Sequence, residues 1–194
     1  AHGAMPENGI DATLVACQIG CALQSIVSRN VAPADAAVIT IGSIQSGDAP
    51  NVVNDTAIMK LSVRALKPEV RNKVLTRIRQ LVTAQAESFG ATASIQQLNG
   101  SPVLVNAREE TAFAAGVATR WFGADKVHLN TPPLMGSEDF TYMLEANPRG
   151  CYLLAGNGDE QGYSALHNPG YDFNDQLIVP CASLWVALVS EYLK

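Results

Sequence analysis

Histidine is scarce in this sequence. Three among 194 residues, at positions 2, 128 and 167, are too few to build a metal catalyst unaided, since a catalytic zinc normally takes three protein ligands. Charge is scarce as well. Charged residues make up 16%, below the usual quarter or so. The longest basic stretch is RNKVLTRIR at 71–79, which has helical spacing, so the chain lacks the basic face that a nucleic-acid partner needs. No stretch reaches the roughly 18 apolar residues of a membrane span, and no basic segment followed by an apolar one stands at the start. No CxxC pairs the four cysteines, Cys17, Cys21, Cys151 and Cys181. They read as buried free thiols of a reducing, cytoplasmic setting. Also missing are GxSxG, a P-loop, GxGxxG and HExxH, which removes the common hydrolase, nucleotide and zincin signatures.

What is present is apolar and small. Hydrophobic residues reach 47%, with mean hydropathy +0.09 and net charge −5. That is enough to fill a core, and it excludes wholesale disorder. Residues 11–29 read as a helix capped by Asp11, with Leu14, Ile19, Leu23 and Ile26 on a broad apolar face. AAVITIGSIQSG (36–47) and TAIMKLSVRAL (56–66) read as strands, the second with Met59, Leu61 and Val63 inward. Pro68 opens a helix over 69–89 that Gly90 ends. ATASIQQL (91–98) is expected to be a third strand. Helix–strand–strand–helix–strand is a ferredoxin-like order lacking its first strand. That strand would begin just before His2, so the chain reads as starting inside a domain. Its opening, AHGAMP, has no initiator Met.

Beyond Gly100 the pattern changes. A helix is expected over 109–123, a short one beginning in SEDFTYMLEA with Ser137 as N-cap, and a closing helix over 175–193. PVLVN (102–106) and CYLLAG (151–156) have strand character, the latter without alternation, as a buried parallel strand would have. Strands alternating with helices point to an α/β layer.

Two polar loops carry the titratable groups. MGSEDFTY (135–142) holds Glu138 and Asp139; YSALHNPGYDFND (163–175) holds His167, Asp172 and Asp175. His167 follows a strand end, where α/β sheets bind ligands, and imidazole ligates Zn, Mn, Co or Ni. The competing reading is a surface-loop histidine bonded to Asp172 or Asp175. Glu138 and Asp139 equally suit a helix start. His2 is flanked by small residues that admit close approach of a substrate or a second subunit. His128, without an evident partner, reads as structural. Arg64, on the polar side of a strand, offers a fork matched to a carboxylate, though such an arginine is commonly just solvated.

The words HGAMP (2–6), NVVND (51–55), VRAL (63–66), MGSEDF (135–140) and LHNPGYDFND (166–175) occur in the order and spacing of a known family. Over nearly its whole length the chain resembles the C-terminal half of M20 metallopeptidases, in particular the amidohydrolases related to hippurate hydrolase and the indole-acetyl-amino-acid hydrolases. The resemblance implies an α/β catalytic domain holding two divalent metal ions, into which a ferredoxin-like lid is inserted that forms the homodimer. On this chain the lid would be residues 1–98, and 99–194 the returning part of the catalytic domain. It further implies His167 as a metal ligand and His2 as the lid histidine that steadies an oxyanion in the partner's site. Asn51 and Arg64 would hold the substrate carboxylate, and Glu138 would stand at the rim of the metal cavity. The substrate would be an N-acyl amino acid. Asn54 departs from the proline common in the family. The family's remaining ligands and its general-base glutamate match nothing here, so the chain alone is expected to hydrolyse no amide and to hold no metal tightly. The alternative is a non-catalytic dimerisation or ligand-binding module.

Overall fold

The computed structural model describes residues 1–98, 100–158 and 164–194. Asn99, at the expected domain boundary, and Tyr163, the first residue of the second polar loop motif, lie outside them. The chain forms two compact units. One comprises Ala1–Val103 with Pro133–Ser137, the other Leu104–Pro132 with Glu138–Lys194.

The first unit is built on a two-stranded antiparallel sheet of β1 (Ala37–Gln45) and β2 (Ile58–Ala65). Helices α1 (Ala12–Asn30) and α2 (Pro68–Ser88) pack on it and on each other. Val15, Ile19, Leu23 and Ile26 of α1 meet Val70, Val74 and Ile78 of α2 and Ile39 of β1 in one buried cluster. Fully burying such a side chain stabilises by about 1.5–3 kcal/mol. The register shifts between Ile41 and Ser43. Gly42 is the extra residue, a bulge that changes the alternation. Ile39 and Ile41 before it and Ile44 after it can then share the helix-facing side. Gly20 of α1 sits where their tips converge: a Cβ there would lie 3.2 Å from Ile41 Cδ1 and 3.9 Å from Ile44 Cδ1.

The helix ends follow from their residues. The Asp11 side chain accepts from the Leu14 amide at 3.0 Å. Pro68 occupies the start of α2. At its end Gly90 has φ +74°, its amide bonds Glu87 O, and the Ala91 amide bonds Ala86 O. This paired closure depends on a left-handed residue.

The expected third strand is absent among the described residues. From 91 to 98 no ladder forms, and only Ala91 and Ile95 are half-buried. Strand propensity expresses fit to a half-buried pleated surface, and this segment finds none. Burial of the α1 cysteines is also corrected: Cys17 and Cys21 are exposed, while Cys151 and Cys181 are half-buried. All four are free thiols. The core-facing stripe of α1 runs through 15, 16, 19, 20, 23 and 26, and Cys17 and Cys21 lie off it.

In the second unit α3 (Arg108–Phe122) packs on α5 (Ile178–Tyr192), with Ala114, Val117, Ala118 and Ala187 buried. Phe113 and Tyr192 meet edge to face, ring centres 5.9 Å apart. Pro180 sits in the first turn of α5, where its missing N–H costs nothing. PVLVN and CYLLAG are not ladder-forming strands here. The Asn106 side chain stands in for a strand partner instead, accepting from Tyr152 N at 2.8 Å and donating to Tyr152 O at 2.9 Å. α4 is short, Phe140–Ala146, and begins after Asp139 without a side-chain cap, so Ser137 is not its N-cap. Ser137 Oγ accepts instead from Ser101 Oγ. Among the described residues no helix is long and apolar enough to cross a membrane.

Candidate functional site

His2 and Asn51 lie far apart in sequence, yet the first unit pairs their main chains. His2 bridges Val52 in an antiparallel arrangement. The Gly3 amide donates to Asn51 O at 2.7 Å, and Val53 N donates to Ala1 O at 2.8 Å. Gly3 is required by this contact: a Cβ there would lie 2.8 Å from both Asn51 C and Asn51 O. The small residue after His2 thus admits the chain's own backbone, where the sequence suggested a substrate or second subunit. The His2 side chain turns onto its own main chain, Nδ1 accepting from the Ala4 amide at 3.0 Å. Both His2 and Asn51 are exposed.

The segment carrying Asn51 is tied down by polar contacts. Thr13 Oγ1 and Ser46 Oγ share a hydrogen bond of 2.8 Å, and Ser46 Oγ donates to Thr56 O. Asn54 O accepts from Ala12 N, at the start of α1. The Asn54 side chain lies against Gly47, whose φ is +65° and whose Cβ position would be 1.9 Å from Asn54 Nδ2. Asn54 is therefore a working part of this turn. Arg64 pairs with Val38 in the ladder and faces away from the helices, alternating with the core-packed Val63 and Ala65. Lys60 and Ser62 share its side. Among the described residues Arg64 forms no ion pair.

Glu138 and His167 belong to the second unit. Glu138 is half-buried, and its Oε2 accepts from the Tyr152 hydroxyl at 2.8 Å. Its carbonyl receives the Thr141 amide and hydroxyl, and Thr141 is buried. The Tyr152 ring lies 5.8 Å from Phe140. The hydrogen bond to Glu138, with burial and the carboxylate charge, holds the Tyr152 phenol above its ordinary range. Sequence reading missed Tyr152 by treating CYLLAG as uniformly apolar. The signal was available, because a tyrosine among apolar neighbours needs a partner for its hydroxyl.

His167 is the only non-glycine residue with positive φ among those described, at 68°. Left-handed backbone is costly for a side-chain-bearing residue and clusters at functional positions. Its turn is closed by Asn168 N to Ala165 O and by Gly170 N to the Asn168 side chain. The loop's flanks are clasped as Asn157 Oδ1 accepts from Asn174 N and Asn174 Nδ2 donates to Asn157 O. The imidazole is exposed, and no hydrogen bond joins it to Asp172 or Asp175.

No group of three or more His, Cys, Asp or Glu among the described residues is arranged to hold a metal ion. His167 can contribute one ligand. The residues described do not by themselves fit the metal site that the resemblance implies, and no catalytic step is routed through one.

Comparison with known proteins agrees over almost the full chain. The profile of Peptidase family M20/M25/M40 matches residues 3–191. Hippurate hydrolase of Campylobacter jejuni is 37% identical over 193 residues, covering 100% of this chain and 49% of that protein. A solved Staphylococcus aureus structure superposes with TM-score 0.76 at 26% identity, covering 100% of this chain and 50% of that one. The Bacillus subtilis YXEP protein, a dinuclear metal-binding peptidase of the M20 family, gives 0.68 at 26% identity, over 94% and 46%. The chain spans about half the length of the relatives it matches.

Proposed function

The chain belongs to Peptidase family M20/M25/M40, and we propose that it supplies the lid and the C-terminal part of the catalytic domain of a metal-dependent amidohydrolase acting on N-acyl amino acids. What supports this reading above all is the 37% identity to hippurate hydrolase across the chain. Residues 1–98 are the lid in this proposal and 99–194 the catalytic part.

The residues divide the work by their chemistry. Asn51 and Arg64 hold the substrate carboxylate, the guanidinium through paired N–H donors. His2 donates to the carbonyl oxygen as negative charge develops on it, as one donor of an oxyanion hole. Glu138, steadied by Tyr152, stands at the rim of the cavity. His167 contributes one ligand to a divalent metal, Zn, Mn, Co or Ni, whose bound chemistry is to activate water and polarise the amide. Lid-to-lid homodimerisation brings His2 and Asn51 to the partner's site. The exposed side of α1, with Leu14, Cys17 and Cys21, and the unpaired edges of the β1–β2 sheet suit such a contact.

The test is an assay of the purified 194-residue chain on hippurate with added Mn, Zn or Co. No turnover above a His167→Ala control is expected. Turnover well above it would overturn the claim that the chain alone is catalytically incomplete. The coding DNA upstream of Ala1 gives the second arm. An in-frame segment carrying the family's other ligands and paired glutamates supports the enzyme, and a nearby stop codon supports the non-catalytic module. Light scattering tests the dimer, which a clean 20.6 kDa species would defeat.

A further inference from the structure

We propose that the main-chain amide of Ala4 fixes the His2 ring in one tautomer, so that His2 offers a single N–H donor and no available acceptor. The Ala4 N–H points at His2 Nδ1 from 3.0 Å. A nitrogen that accepts a hydrogen bond carries no proton, so in the neutral ring the proton resides on Nε2. Among the described residues Nε2 has no partner, and the ring is exposed.

The surrounding main chain makes this arrangement specific. His2 O accepts from Met5 N at 2.8 Å, closing a turn over Gly3 and Ala4. That turn brings the amide two residues on beneath the imidazole, where the side chain of Asn or Asp would sit in the analogous local motif. On the other side, Gly3 N donates to Asn51 O and Val53 N donates to Ala1 O, binding the segment to residues 51 and 53. A bulkier residue at position 3 would collide with Asn51. Position 3 must therefore be small, and position 4 must keep its N–H. Ala4 is a positioning residue that acts through its backbone.

The consequence is a restriction of role. A neutral ring with Nδ1 engaged and Nε2 protonated is neither a general base nor a metal ligand. It is a hydrogen-bond donor, suited to an oxygen gaining negative charge. That acceptor rests on the amidohydrolase reading; the tautomer does not.

The experiment is ¹⁵N NMR of the full 194-residue chain at a pH where the imidazole is neutral, with His2→Asn used to assign the ring signals. An acceptor-type shift at Nδ1, a protonated Nε2 and a scalar coupling across the hydrogen bond from Ala4 N to His2 Nδ1 are expected. Ala4→Pro deletes the donor. It should abolish the coupling and relax the tautomer ratio by up to about tenfold toward that of an unrestrained side chain. Should the proline disturb the turn, His2→Asn provides the second reading. Its Oδ1 can replace Nδ1 as acceptor, so the Ala4 amide should exchange no faster than in the native chain, and faster exchange would count against a side-chain acceptor at position 2. A proton found on Nδ1, or mixed tautomers without the coupling, overturns the proposal and leaves the amidohydrolase reading intact. Conversely, failure of the upstream-sequence test would remove the acyl substrate and leave the tautomer assignment standing.

Discussion

The two units differ in what they do with their apolar side chains. The first buries Leu23, Ile26 and Val74 completely between two helices and a sheet. The second buries mainly alanines with Val117, while Val179, Trp185, Val186, Val189 and Tyr192 of α5 remain more than half exposed. Its extended segments at 104–106 and 151–156 have one side-chain substitute for a ladder, Asn106. Stability should therefore be uneven, since local opening is easiest where few apolar contacts are buried. It also separates the candidate residues: His2, Asn51 and Arg64 sit on the well-packed unit, Glu138 and His167 on the sparsely packed one.

The strongest way to break this comparison is a pair of truncations. Leu23→Ala should cost about 2–5 kcal/mol, as deletion of a buried leucine does. Trp185→Ala, removing a side chain 69% exposed, should stay within about 0.5 kcal/mol. Both tryptophans, Trp121 and Trp185, lie in the second unit. Trp121 fluorescence therefore follows that unit, and circular dichroism follows both. If Trp185→Ala costs as much as Leu23→Ala in urea titrations, the contrast between the units is wrong.

Next in size is Gly3→Ala. The added methyl meets Asn51 main chain at 2.8 Å, and overpacking of this kind costs about 1–3 kcal/mol. The loss should be confined to the first unit's edge. Faster exchange of the Gly3-position and Val53 amides is expected, with Val74 protection retained. Uniform loss across α2 would mean that the His2–Asn51 pairing belongs to the main core.

Tyr152→Phe sharpens the other side. Loss of the hydroxyl bond to Glu138 should cost about 0.5–1.5 kcal/mol, toward the lower end because the ring is only partly buried. The sign with pH is definite. The folded phenol titrates above its unfolded range, so its stabilisation is fully present below about pH 10 and is lost as pH rises through the raised value. The variant should unfold with a flatter alkaline dependence than the native chain. Equal alkaline slopes would remove Glu138–Tyr152 as a linked pair.

Legibility in the sequence follows the same division. The helices and the β1–β2 hairpin could be read because their patterns are local: Asp11 as cap, Pro68 at a helix start, Gly90 at an end, alternation through Met59, Leu61 and Val63. The segment 91–98 could not, because strand propensity does not supply a partner. The exposure of Cys17 and Cys21 was hidden by apolar residues on several sides of α1. At the site, His2, Asn51, Arg64, Glu138 and His167 were singled out by motif. The devices that hold some of them were not. Gly3 against Asn51 and Tyr152 on Glu138 join separate segments, Asn54 against Gly47 joins the two ends of one connection, and no periodicity or capping pattern encodes them.

The smallest expected effect concerns the surface ion pairs, and it probes whether acid acts on the second unit more than on the first. In the second unit Arg149 bonds Glu110 at 3.0 Å and Arg120 bonds Glu191. These contacts hold both carboxyls below the usual carboxylate range. Their contribution is present above that range and is lost as pH falls through the lowered values. In the first unit the Lys67–Asp35 pair, at 2.7 Å, raises the lysine above its ordinary value. On the alkaline side that contribution is lost as pH rises through the raised value. Acid should therefore loosen the second unit first, while alkali should touch the first unit through Lys67 and the second through Tyr152. All three pairs are solvent-exposed, so each effect is slight and fades with added salt. Hydrogen exchange at acidic pH, compared at low and high salt, reads the difference directly. Salt-sensitive acid loosening of α3 and α5 that exceeds any in α1 and α2 is the expected outcome. Equal loosening of both units would show that the ion pairs do not distinguish them.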